Sequence, residues 1–203
     1  LIKNLSFKYF NSDNYIFKNL DLSIKKNEHT VITGPNGSGK STLLGLISGI
    51  FYPEEGTVSL SSKKIGYVGV TPLIISGTLN ENILYGNDRN IDQQEILDLL
   101  HEFKLFNEKS KIDLNMQVSN STLSSGQMQK ISFIRSLLAN SEILLLDEST
   151  SNLDIRTKQF IFEILNTRDI TIINSTHNHE DFDYDNHLKI QVMEDSRTID
   201  NVT

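Results

Sequence analysis

Apolar positions along this chain follow two different periods, and the switches between them outline its elements. Near the start Leu5, Phe7 and Tyr9 alternate with Ser6, Lys8 and Phe10. Successive strand side chains point to opposite faces, so this predicts a strand with one apolar face. A second alternation runs from Ile16 to Ile24 after the turn-rich Asn11-Ser-Asp-Asn14, and Asn27-Glu28 marks a turn in which Asn takes a left-handed conformation. Val31-Ile32-Thr33 reads as a short buried strand and Lys40 to Ile50 as a helix. Beyond a loop at Tyr52–Gly56, two short strands, Thr57–Leu60 and Lys64–Val68, flank a Ser-Ser turn. From Asp92 the period becomes helical, with Ile96, Leu99, Leu100 and Phe103 on one face and Asp92 and Glu95 at the spacing of a capping box. A further helix opens at Leu123-Ser-Ser-Gly-Gln127 and runs to about Leu138. The unbroken apolar run Ile143–Leu146 predicts a buried strand ending in Asp147-Glu148. Asp154 to Leu165 is helical, Ile170–Asn174 a buried strand, and Leu188–Met193 with Arg197–Asn201 a terminal hairpin. Strands and helices alternating in this way predict an α/β fold around a mainly parallel sheet. An antiparallel β portion precedes that sheet, and an all-helical insertion spans residues 78 to 138.

One stretch adds chemistry to the pattern. Gly34-Pro-Asn-Gly-Ser-Gly-Lys-Ser-Thr42 has the spacing G-x-x-x-x-G-K-S of a phosphate-binding loop, and it lies between a predicted strand and a predicted helix, as that motif requires. Gly34, Gly37 and Gly39 reach backbone angles closed to other residues, so successive N–H groups can face one concave nest. The nest and the helix N-terminus hold an anion without any side chain. Asn36, Gly37, Ser38, Gly39 and Thr42 line it, Lys40 brings a full charge to the β- and γ-phosphates, and the Ser41 hydroxyl is placed to ligate Mg²⁺.

Composition narrows the remaining choices. At 203 residues the chain is read as one domain with a sizeable core, 1–77 and 139–203 forming the catalytic part and 78–138 the inserted lobe. The formal charge of −7 argues against nucleic acid as a partner, and the absence of cysteine excludes disulfides and thiolate metal sites. No apolar run approaches the 18 or so residues of a membrane span. No signal-peptide pattern is present, and the chain opens on Leu1, which reads as a piece of something longer.

Asp147-Glu148 at the end of a buried strand supplies the usual second half of a phosphate-loop site. Asp147 would hold Mg²⁺ directly or through water, and Glu148 would polarise the attacking water as general base. With these residues in view, the chain resembles the nucleotide-binding domain of ABC transporters over nearly its whole length. Leu123-Ser-Ser-Gly-Gln127 resembles the family signature LSGGQ, Ser151-Asn-Leu-Asp154 the D-loop, and His177 in Asn-Ser-Thr-His the switch histidine. Tyr9 alone reads as an ordinary strand aromatic, but in this family position it is placed like the aromatic that stacks on adenine. Ser76-Gly-Thr-Leu-Asn-Glu-Asn-Ile-Leu-Tyr-Gly86 is similar to the exporter segment that faces the transmembrane domains. His177-Asn-His179 as a metal pair is rejected, because two imidazoles without carboxylate or thiol support are a weak site.

The resemblance implies a P-loop core of RecA-like type, ATP and Mg²⁺ as ligands, and ATP hydrolysis with Glu148 and His177 as catalytic residues. It implies that Ser124, Ser125, Gly126 and Gln127 bind the γ-phosphate of ATP held by a second ABC ATPase domain, so that two domains close head to tail on two ATP molecules, and it gives Asp154 as the D-loop residue. It further implies transmembrane domains as partners and a place at the cytoplasmic face of a membrane. Three departures stand out: the stretch between Gly56 and Tyr67 is short, the signature carries Ser125 for a glycine, and the pattern Y-V-x-Q-x-P reads Tyr67-Val-Gly-Val70-Thr-Pro72. Val70 thus replaces the Gln that in the family ligates Mg²⁺. The readings carried forward are an exporter ATPase domain, a weakly hydrolysing half of a heterodimer, and a non-transport ABC ATPase.

Overall fold

The computed structural model describes residues 1–106, 112–193 and 197–202. Strands β1 (Ile2–Phe7), β2 (Phe17–Leu22) and β3 (Thr30–Thr33) lead into helix α1 (Lys40–Ser48), followed by β4 (Glu55–Val58) and β5 (Ile65–Val68). The short pair β6 (Gly77–Thr78) and β7 (Gln117–Val118) brackets α2 (Leu79–Leu84) and α3 (Gln93–Glu102). Then come α4 (Ser125–Leu138), β8 (Ile143–Asp147), α5 (Ile155–Asn166), β9 (Thr171–Ser175), β10 (Asn186–Val192) and β11 (Arg197–Asn201).

Nine strands form one sheet in the order β4-β1-β2-β11-β10-β3-β9-β8-β5. From β10 to β5 every neighbouring pair is parallel, whereas β4-β1-β2 is an antiparallel wing. The unbroken apolar run of β8 has a direct cause. Ile143 and Leu145 pack into a cluster with Leu43, Leu44 and Ile47 of α1, while Leu144 and Leu146 pack into another with Ile131 and Ile134 of α4 and Ile161 of α5. A parallel strand covered by helices on both faces has no polar side to show.

Several expectations need correction. β1 ends at Phe7 and does not reach Tyr9. The strands around the Ser-Ser turn are not neighbours: β4 and β5 lie at opposite edges of the sheet, β4 on β1 and β5 on β8. Gly56 lets β4 lie close against β1, since a Cβ there would lie 2.4 Å from the Asn4 carbonyl oxygen. The capping box at Asp92 does not close: Asp92 caps α3 through the Gln94 N–H at 3.2 Å, while Glu95 pairs with Arg89 at 3.6 Å. The stretch 78–138 is not wholly helical, because β6 and β7 pair antiparallel at its base; its residues 107–111 lie outside the described residues. Within it α2 begins on a closed capping box, with the Thr78 hydroxyl accepting the Glu81 N–H at 3.1 Å and the Glu81 carboxylate accepting the Thr78 N–H at 2.7 Å. The terminal hairpin forms as expected, Leu188 opposite Asn201 and Val192 opposite Arg197.

Asn82 of α2 ties this region together. It is fully buried; its Oδ1 accepts the Ile75 N–H at 3.0 Å, and its Nδ2 donates to the carbonyls of Ile75 and Thr78, each at 3.0 Å. Arg135 of α4 donates to its backbone carbonyl and to its Oδ1.

Candidate functional site

β3 ends at Thr33 and the chain turns through Gly34 into α1. A Cβ on Gly34 would stand 2.7 Å from Ser38 Oγ and 2.8 Å from the Ile190 carbonyl oxygen, so only glycine fits this approach. Gly39 caps α1 at φ +104°, a left-handed conformation open to glycine. The Leu43 N–H is bonded back to Gly39 at 2.8 Å, and the first-turn amides of Lys40, Ser41 and Thr42 precede it. Such N–H groups have no intrahelical partner, and together with the helix dipole they favour an anion. The Ser38 hydroxyl is buried at the same turn with no hydrogen-bond partner among the described residues. Lys40 is 6% exposed; its ammonium donates to the Gly34 and Pro35 carbonyls at 3.1 and 3.4 Å and lies 3.6 Å from Glu148 Oε1.

The carboxyl end of β8 faces this loop. Ser41 Oγ donates to Asp147 Oδ1 at 2.9 Å, and the Tyr67 hydroxyl donates to Asp147 Oδ2 at 2.7 Å. Burial, and then the Asp147 acceptor, push the Tyr67 phenol well above its ordinary range, so it stays a donor. A hydroxyl and a carboxylate are hard oxygen donors of the kind Mg²⁺ takes, so Ser41 and Asp147 fit that ion. Glu148 sits at φ +50°, uncommon for a residue with a Cβ, and its N–H donates to the Ser175 carbonyl at 2.9 Å, which ties it to the end of β9. Strain of this kind costs about 1–3 kcal/mol and concentrates at functional positions. Its Oε1 lies 3.0 Å from His177 Nε2, just past β9. Lys40, Ser41, Asp147, Glu148 and His177 therefore meet at one end of the parallel strands, where α/β sheets carry their ligands.

Tyr9 lies two residues beyond β1. Its hydroxyl is 2.7 Å from Thr42 Oγ1, Phe7 and Phe51 meet it edge to face, and the residue is 42% exposed. With Asn36, Gly37, Lys40, Thr42 and Glu148 it lines a cleft of about 260 Å³.

The signature residues stand elsewhere. Ser124 caps α4: its Oγ accepts the Gln127 N–H at 3.2 Å, and Gln127 Oε1 accepts the Ser124 N–H at 2.9 Å. Ser125 and Gly126 open the first turn, Gly126 beside Leu153. Among the described residues no hydrogen bond or ion pair joins Ser124–Gln127 to Lys40, Asp147 or Glu148. Asp154 caps α5, accepting the Thr157 hydroxyl at 2.7 Å and the Thr157 N–H at 3.0 Å. These two bonds, the hydroxyl first, hold its carboxyl below the usual carboxylate range. Val70 is 39% exposed, and the preceding Gly69 carbonyl is held by Gln129 of α4 at 3.1 Å. Sequence reasoning missed Tyr67 and Gln129. Neither carries a local signal, because both bonds join segments far apart in the chain.

A family model described as ABC transporter matches residues 17–151. The ATP-dependent permease MDL1 of Candida albicans is 35% identical over 196 residues, covering 86% of this chain and 29% of that protein. The lactococcin-A transport/processing ATP-binding protein LcnC of Lactococcus lactis subsp. lactis is 37% identical over 178 residues, covering 80% of this chain and 25% of its own. The solved structure of a bacterial Atm1-family ABC exporter with ATP bound superposes with a TM-score of 0.84 at 26% identity, covering 98% of this chain and 38% of that one. The chain thus spans less than a third of the length of either of these curated relatives. A phosphate loop, strand-end carboxylates and a helix-capping signature on this sheet, matched by that family model, give one assignment: the chain belongs to the ABC transporter family.

Proposed function

We propose that this chain is the ATP-binding and ATP-hydrolysing domain of an ABC exporter, a single unit in which residues 78–138 form a lobe on the core. The observation that carries the reading is the meeting of Lys40, Ser41, Asp147, Glu148 and His177 at one end of the parallel strands. In it, Asn36–Thr42 cradle the phosphates of ATP with backbone amides and Lys40 neutralises the β- and γ-groups. Ser41 and Asp147 hold Mg²⁺, which when bound offsets charge developing on the phosphates. Glu148 accepts a proton from the attacking water, and His177 holds its carboxylate in place. Tyr9, fixed by Thr42 and Phe51, offers its exposed ring to adenine. Ser124, Ser125, Gly126 and Gln127 make no hydrogen bond to this site among the described residues, and the first turn of α4, with Ser124 and Ser125 exposed, suits the γ-phosphate of ATP on a second ABC ATPase domain. Asp154, at the start of α5, lies in the D-loop of that closed pair. Transmembrane domains engage through Thr71–Asn82, which places the domain at the cytoplasmic face of a membrane.

Titration with labelled nucleotide tests the reading. The chain should bind MgATP saturably, and Tyr9→Ala should weaken ATP and ADP alike by about 1–3 kcal/mol, the scale of base–aromatic stacking. A parent that binds neither nucleotide sinks the proposal.

A second reading, a weakly hydrolysing half of a heterodimeric transporter, is favoured by Val70 alone. An isopropyl group neither ligates Mg²⁺ nor orients water. Binding survives, because Mg²⁺ readily keeps waters as ligands; positioning suffers, because lost support around a metal costs about 10–100-fold. Val70→Gln should therefore raise steady-state turnover about 10-fold with little change in ATP affinity. Equal turnover in parent and variant removes the case for impaired hydrolysis.

A further inference from the structure

Position 70 carries an isopropyl group and no amide, yet the Asp147 carboxylate is held at both oxygens. Ser41 takes Oδ1 at 2.9 Å and the Tyr67 hydroxyl takes Oδ2 at 2.7 Å. The register explains how Tyr67 reaches it. β5 runs parallel to β8 with Tyr67 opposite Leu145 and Val68 opposite Leu146, so Tyr67 stands two residues behind Asp147 on the neighbouring strand. A phenol is long enough to span that offset, whereas the shorter Val68 turns inward and is buried. Tyr67 as a whole remains 39% exposed on the edge strand, so core packing alone does not fix its direction. Its hydroxyl bond does. With Oδ2 occupied by Tyr67, the oxygen turned toward the phosphate loop is Oδ1, on the side of Ser41.

Resting on the ATP-site reading above, we propose that Tyr67 is a positioning residue for the Mg²⁺–nucleotide site. It acts through Asp147, and its hydroxyl supplies orientation at the metal site that Val70 does not. Carboxylates that ligate metals are generally hydrogen-bonded in turn, and loss of such a partner typically costs about 10–100-fold in metal affinity or activity. Tyr67 touches neither nucleotide nor water in this scheme; it selects which Asp147 oxygen meets the ion. That separates it from Lys40, which acts on the phosphates with or without Mg²⁺.

The test is binding of fluorescent ATP to the whole chain, measured in EDTA and across a Mg²⁺ titration, for the parent, Tyr67→Phe and Tyr67→Leu. Tyr67→Phe keeps the ring and removes only the hydroxyl. The expected result is an unchanged affinity in EDTA and a rise of about 10-fold in the Mg²⁺ concentration that gives half the tightening, with the same shift in Tyr67→Leu. A Mg²⁺ midpoint in Tyr67→Phe equal to the parent's overturns the inference, even if Tyr67→Leu shifts, since ring packing would then be what matters. Weaker binding of Tyr67→Phe in EDTA overturns it as well, because the hydroxyl would then serve the nucleotide directly. A parent that binds no nucleotide overturns the ATP-site reading and this inference together; a parent that binds, with an unshifted Tyr67→Phe, overturns this one alone.

Discussion

Glu148→Gln is expected to lower steady-state ATP hydrolysis by about 10²–10⁴-fold, the range contributed by a positioned general base, while ATP binding stays intact. The substitution keeps the size and shape of a side chain whose Oε1 lies 3.0 Å from His177 Nε2 and 3.6 Å from the Lys40 ammonium. It leaves the left-handed backbone at φ +50° and the N–H bond to Ser175 in place. What it removes is the basic oxygen. If α4 binds the partner's γ-phosphate, slowing hydrolysis prolongs the closed pair, so sedimentation of this variant with MgATP should show a dimer. Undiminished phosphate release would reassign the base. A monomer at every protein concentration tested would count against a site shared between two chains.

What could be read from the sequence, and what could not, divides along a physical line. The phosphate loop, Asp147-Glu148, the signature and His177 are contiguous runs whose chemistry depends on local backbone, a strand end or a helix N-terminus, and each stands where such runs belong. The bond from Tyr67 to Asp147 crosses 80 positions and depends on strand register, which no local pattern reports. Likewise Ser61-Ser62 reads as a turn between two strands, but local signals describe turns and not pairing, and here the chain passes from one edge of the sheet to the other. β6 and β7 are two residues each and carry no period to detect. Asp154 illustrates a different gap: its family position suggests a role between chains, while its bonds to Thr157 show it capping its own helix. Thr78 and Glu81, by contrast, have capping-box spacing in the sequence and could have announced α2.

The second large effect is on stability. Asn82→Ala should destabilise the chain by about 3 kcal/mol, because removing one partner of a buried hydrogen bond leaves the other unpaired at about 1–3 kcal/mol each. The side chain is fully buried and bonds the Ile75 N–H, the Ile75 carbonyl and the Thr78 carbonyl at once. The two Ile75 groups lie where the chain turns from β5 toward α2, outside any strand or helix, whereas Thr78 belongs to β6 and caps α2. Ile75 is only partly buried, so water repairs some of the loss there. Arg135 loses its contact with Oδ1 but keeps its bonds to the Asn82 and Leu73 carbonyls, which limits the damage on the α4 side. For a chain of this length about 3 kcal/mol corresponds to a fall of roughly 6–12 °C in Tm. A thermal melt reads it directly. Nucleotide affinity below the transition should hold, since Asn82 touches none of Lys40, Ser41, Asp147 or Glu148 among the described residues. A Tm within 2 °C of the parent, a shift worth less than about 1 kcal/mol, would mean that this turn is held by packing of Ile74, Leu79 and Ile83 and not by the Asn82 amide.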